Sequence, residues 1–164
     1  MLFSSDDQPS LGYHFRVDFI FPLPNRTIET KFREVSGMDR TIVMETDSVG
    51  ENKVPFFAPV SVDYGTLSLK RGMLPGSYLI DWVNLSIVTQ RRIPIPVVVS
   101  TLDHNHMPLY CWLFFNVYPT KFSTTGFHAQ EAGILVEEIE LKYSSFMPIR
   151  VQGGLLEAAV SQFM

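Results

Sequence analysis

His104 and His106, in Asp103-His104-Asn105-His106, are the residues of this chain most suggestive of metal chemistry, because two imidazoles two residues apart on a strand point to one face. A metal site normally needs three or four arranged ligands. His14 and His128 are remote in the chain, and the pair lies at a polar turn between apolar runs, so a solvated hairpin tip without metal is expected. Glu137, Glu138 and Glu140 could serve as paired acid and base. Alternation instead puts Glu138 and Glu140 on the solvent side of a strand, where carboxylates keep ordinary acidity, and no charge partner is implied. Lys70-Arg71-Gly72 lacks the glycine spacing of a phosphate loop, and there is no Gly-x-Ser-x-Gly or Cys/His arrangement. The single Cys111, inside Tyr110-Cys111-Trp112-Leu113-Phe114-Phe115, reads as a buried and inert thiol. No catalytic residue, cofactor site or metal site is expected, and no enzyme.

The elements that would carry these residues are mostly strands. From Tyr13 to Phe21 the odd positions Tyr13, Phe15, Val17, Phe19 and Phe21 are apolar, while His14, Arg16 and Asp18 face the other way. Pro22 and Pro24 stop that strand, a second begins near Thr30, and Ser36-Gly37 turns the chain into Arg40 to Thr46. From Asp47 to Pro59 the pattern fails around Gly50, Asn52, Pro55 and Pro59, which predicts a long loop whose Phe56-Phe57 pair packs on something outside its own hairpin, the alternative being a loop folded back on its own core. After a strand from Val62 to Lys70, the residues Leu79, Trp82, Val83 and Ile87 recur at helical spacing, with Pro75 in the opening turn. Ile93 to Thr101 and Met107 to Tyr118 form a hairpin whose unbroken apolar runs predict cover on both faces. Ile139, Leu141 and Tyr143 alternate with Glu138, Glu140 and Lys142 in a last strand. An all-β barrel or sandwich with one helix follows.

Composition limits the partners. A chain of 164 residues with 46% apolar and 18% charged residues supports one domain with a real core. A mean hydropathy of +0.11 and 13 phenylalanines exceed what a small soluble monomer comfortably hides, so some apolar surface is expected to meet other subunits. A net charge of −4 with dispersed Lys and Arg offers no basic stripe for nucleic acid. No run approaches the roughly 18 apolar residues of a membrane helix, and the start has no signal-peptide pattern, so no membrane anchor and cytoplasmic assembly are expected.

Four segments in fixed order carry a family resemblance: Phe32-Arg33-Glu34-Val35-Ser36-Gly37-Met38-Asp39, then Lys70-Arg71-Gly72-Met73, then Tyr118-Pro119-Thr120-Lys121, then Ile134 to Leu141. Together they resemble the inner tail-tube proteins of contractile phage tails and contractile injection systems, related to the ring protein of type VI secretion. The resemblance spans about Tyr13 to Phe146. It implies two packed antiparallel sheets in a barrel-like body with one flanking α-helix, in a subunit that forms hexameric rings stacked into a tube. Contraction of a surrounding sheath would drive that tube through a target envelope, as part of a phage tail or tail-like particle that is released or attached to the envelope.

The division expected is an N-terminal segment 1–12, a tail-tube domain 13–146 and a C-terminal extension 147–164. Implied partners are further copies of the chain, the sheath protein, spike and baseplate proteins, and a lumen cargo. The subunit contacts expected are Asp47, Val49, Asn52, Val54, Phe56 and Phe57 of the loop, Lys70 and Arg71 at the strand end, and Leu155, Leu156 and Phe163 of the tail, where Gly153-Gly154 would hinge a short helix. The extension leaves open a specialised initiator ring at the baseplate. A β-barrel that binds a small ligand is the alternative from a different class.

Overall fold

Alternating apolar residues decide which way each strand faces. The computed structural model describes residues 14–22, 26–49, 54–130 and 133–150. Its strands are β1 (Phe15–Phe21), β2 (Arg26–Thr30), β3 (Glu34–Ser36), β4 (Arg40–Val49), β5 (Val54–Tyr64), β6 (Leu67–Gly72), β7 (Ile95–Leu102), β8 (Pro108–Thr124), β9 (Val136–Lys142) and β10 (Ser145–Arg150). One helix, α1 (Tyr78–Thr89), lies between β6 and β7. All pairings are antiparallel, in the order β2-β1-β7-β8-β9-β6-β3, with β10 added to β8. The ends of that order do not pair, so the barrel-like body is open; β4 and β5 form a separate two-stranded sheet.

β8 belongs to both halves of the body. Its first part pairs with β7 and β10, and its second, from Tyr118 to Thr124, pairs with β9. Asn116, at φ 51°, stands at the junction, and its side-chain amide donates to Ser144 Oγ at 3.1 Å. Asparagine tolerates this left-handed conformation better than most residues. The sequence reading ended this strand near Tyr118 and did not find β10, whose Ser145 to Arg150 pair with Phe115 to Tyr110.

The expected faces form. Val17, Phe19 and Phe21 of β1 join Val97, Val99, Phe114, Ile139 and Leu141 in the main core, while Val98 points the other way, beside Ile20, Cys111 and Leu113. The apolar runs of β7 and β8 are thus covered on both faces, and each large side chain fully buried contributes about 1.5–3 kcal/mol. Helix α1 covers one side of the core with Leu79, Trp82, Val83 and Ser86, and Trp82 Nε1 donates to Ile93 O at 3.0 Å. Ile87, expected on that face, is exposed; seven residues of α-helix return nearly to Leu79's direction, so Ser86 takes the inward place. Pro75 lies in the turn before the helix rather than in its first turn.

Candidate assembly interface

The segment expected to be a loop is instead a long β-hairpin. β4 and β5 pair from Arg40↔Tyr64 out to Val49↔Val54, with a register shift between Val43 and Met44. Pro55 and Pro59 obscured it in the sequence. Proline is tolerated here because a two-stranded sheet leaves every strand one edge free of ladder bonds, and Pro59 falls beside the irregularity.

Three sets of contacts fix the base of this hairpin to the body. The Tyr143 hydroxyl donates to Gly37 O at 2.9 Å and Asp39 O at 3.2 Å, while Gly65 N–H donates to Asp39 O at 3.1 Å and closes the hairpin's own base. Burial raises the Tyr143 phenol pKa above its ordinary value, which keeps it the donor. The Tyr64 ring lies 5.9 Å from Tyr143 and 6.0 Å from Phe146, and the Arg40 guanidinium lies 5.2 Å from the Phe146 ring centre. Gly37 is required at this corner: its φ is +85°, and a Cβ would stand 1.8 Å from Thr66 O.

Beyond its base the hairpin exposes apolar side chains. Cross-strand partners share a face, so Ile42 with Val62, Met44 with Pro59 and Thr46 with Phe57 make one mostly apolar side. Phe56 and Phe57 are 61% and 60% exposed, on opposite faces, and Ile42, Met44, Val60 and Val62 are exposed too. The phenylalanine pair therefore does not fold back on its own core. A monomer rarely presents so dense an apolar surface unless it is a contact surface.

The other expected contact residues divide. Asp47, Val49 and Val54 lie in the hairpin backbone, whereas Asn52, Leu155, Leu156 and Phe163, with the expected tail helix, lie outside the described residues. Lys70 is at the surface and donates to Glu34 Oε1 at 3.1 Å; that hydrogen bond and charge raise its pKa. Arg71 corrects the expectation. Its guanidinium is buried, bonded to Glu137 Oε2 at 3.0 Å and Ser77 Oγ at 2.9 Å, and 5.7 Å from the Phe32 ring centre, so it joins β6, β9 and the start of α1 inside its own subunit. Six alternating positions of β6 explain this, since Leu67, Leu69 and Arg71 share the inward face.

The candidate chemical residues make contacts within the subunit. Glu137 and Glu140 do have charge partners, contrary to the sequence reading: Glu137 is buried against Arg71, and Glu140 accepts from Lys121 Nζ at 2.6 Å. Glu138 accepts from Ser68 Oγ at 3.1 Å. His104 and His106 are exposed at the turn as expected, but His106 Nδ1 meets His14 Nε2 at 2.9 Å, a contact the sequence reading missed. Among the described residues no group of three or more His, Cys, Asp or Glu could hold a metal. Cys111 is buried beside Ser100 Oγ at 3.2 Å, and burial raises its thiol pKa.

A model of the family described as T4-like virus tail tube protein gp19 matches residues 11–147. The chain belongs to that family. As a tail-tube protein its work is to build a tube. Its fold is similar to a chain in the baseplate of the anti-feeding prophage, with 22% identity, a TM-score of 0.80, and coverage of 90% of this chain and 99% of that one. It is also similar to a chain in the sheath–tube complex of the extracellular contractile injection system PVC in its extended state, with 24% identity, a TM-score of 0.77, and coverage of 92% and 100%. A type six secretion system protein is more distant, at 10% identity and a TM-score of 0.50, covering 84% of this chain and 83% of its own. No curated protein matches the chain. Among the described residues no helix is long and apolar enough to cross a membrane.

Proposed function

We propose that this tail-tube protein is the repeating subunit of the inner tube of a contractile injection system, with six copies in a ring and rings stacked into a hollow tube. The apolar surface of the β4–β5 hairpin carries this reading, because it gathers Ile42, Met44, Phe56, Phe57, Val60 and Val62 on one exposed element that the subunit's own core leaves uncovered. The role is structural rather than catalytic. The tube would be assembled in the cytoplasm inside a sheath and above spike and baseplate proteins, from a tube domain of residues 13–146 with flanking segments 1–12 and 147–164. The similarity to chains in baseplate and sheath–tube assemblies supports these partners.

Negative-stain images and sedimentation of the purified full chain test it. Six-membered rings or stacked tubes are the expected result. A ligand-free monomer that persists at high concentration would overturn the proposal.

A further inference from the structure

The C-terminal end of α1 borders a cleft that the hairpin does not touch. It has a volume of about 230 Å³ and lies between the last turn of the helix and β8 at Tyr118 to Thr120. Ser86 lines this cleft and is 6% exposed, and its buried Oγ has no hydrogen-bond partner among the described residues. A buried hydroxyl without a partner costs about 1–3 kcal/mol, so such a group calls for an acceptor. Beside it stand Arg91 and Arg92, just past the left-handed Gln90 that ends the helix. Neither has an ion-pair partner among the described residues. Arg92 lies over the Tyr118 ring, 5.3 Å from its centre, a cation–π contact that holds the guanidinium beside the cleft. Arginines near a helix C-terminus also relieve the orphan carbonyls there. That role leaves Ser86 Oγ unsatisfied.

We infer that this cleft binds a carboxylate, and that the carboxylate is an acidic side chain of a second copy of this chain. A carboxylate supplies two acceptor oxygens to a guanidinium fork and further lone pairs to the serine hydroxyl, with charge-assisted bonds roughly twice as strong as neutral ones. The volume falls below the roughly 300 Å³ at which pockets for larger ligands begin, which favours one side chain. The chain has 17 acidic against 13 basic residues, so copies meeting head to tail bring excess carboxylates to one another's arginines. The identity of the occupant rests on the tube-forming reading; the site itself does not.

Two measurements on the full chain separate these points. The first follows backbone amide NMR shifts of dilute protein during titration with N-acetylglutamate N-methylamide, and separately with inorganic phosphate. The glutamate probe is expected to give saturable shifts at Ser86, Gln90 to Arg92 and Tyr118, weakened about tenfold or more in Arg91→Ser/Arg92→Ser and measurably in Ser86→Ala. No saturable shift, or the same affinity in the variants, overturns the site, and binding of phosphate alone overturns the carboxylate assignment. The second places a photoreactive residue at position 91 and images assembly of Arg91→Ser/Arg92→Ser. Cross-links to an acidic segment of another copy, with tubes lost or shortened in the variant, are expected. Normal tubes without such cross-links overturn the second copy as occupant. A wild-type chain that never assembles instead overturns the tube reading, while the titration still decides the site.

Discussion

The body and the hairpin use the same strand residues to opposite ends. In β1, β7 and β8 the large side chains meet across two sheet faces, and Phe19, Val97 and Phe114 are fully buried. In β4 and β5 an equally regular ladder carries Ile42, Phe56 and Phe57 with more than half of each side chain facing outward. Ladder hydrogen bonds alone do not decide stability; burial does, and a two-stranded hairpin is marginal in water without a surface to pack on. Among the described residues the body supplies that surface at the base, where Tyr143 and Phe146 pack against Tyr64 of the hairpin.

This contrast predicts unequal responses to the same kind of change. Phe114→Ala, in the body, should cost about 3–5 kcal/mol in denaturant unfolding, because Phe114 is packed 4.9 Å from Tyr143 and 5.1 Å from Phe146, ring centre to ring centre. Ile42→Ala, in the hairpin, should cost at most about 1 kcal/mol. Equal losses would mean that the hairpin is part of the folding core.

The buried ion pair gives nearly as large an effect by another route. Glu137→Ala leaves the Arg71 guanidinium buried without its carboxylate and should destabilise by about 3–5 kcal/mol. Arg71→Met combined with Glu137→Leu should recover most of that loss, since an apolar pair of similar volume needs no charge partner. If the double variant is as unstable as the single one, the pair contributes more than mutual neutralisation.

A smaller effect probes the link between the two regions. Tyr143→Phe removes the hydroxyl that bonds Gly37 O and Asp39 O and should cost about 0.5–1.5 kcal/mol. The pH dependence has a definite sign. The folded-state pKa is raised, chiefly by burial, so this tyrosine's contribution is fully present below the unfolded value of about 10 and is lost as pH rises toward the folded value. Unfolding curves taken across the alkaline range should therefore fall less steeply for Tyr143→Phe than for the wild type. Identical slopes would show that the phenol does not govern that limb.

Much of the fold could be read from the chain because alternation is a local signal. Val17, Phe19 and Phe21, or Ile139 and Leu141, sort to one face whatever the rest of the chain does. The hairpin was read as a loop because Pro55 and Pro59 break the pattern, and only the free edges of a two-stranded sheet make them acceptable. The Arg71–Glu137 pair joins residues 66 apart through the β6–β9 register, and His14 meets His106 across 92 residues. Neither pairing exists in sequence until strand order is known. Phe56 and Phe57, adjacent in a stretch of broken alternation, were expected to pack outside their own hairpin, and both are exposed in the structure.

The central claim is that the hairpin's exposed apolar surface is the assembly surface, and Phe56→Ser/Phe57→Ser tests it most directly. Sedimentation velocity and negative-stain images of the variant would be set beside its unfolding midpoint. Apolar side chains at the centre of an interface carry about 1–4 kcal/mol each, so the predicted result is a folded protein with a near wild-type midpoint that fails to form rings or tubes. A variant that assembles like the wild type, or one that unfolds, would contradict the account.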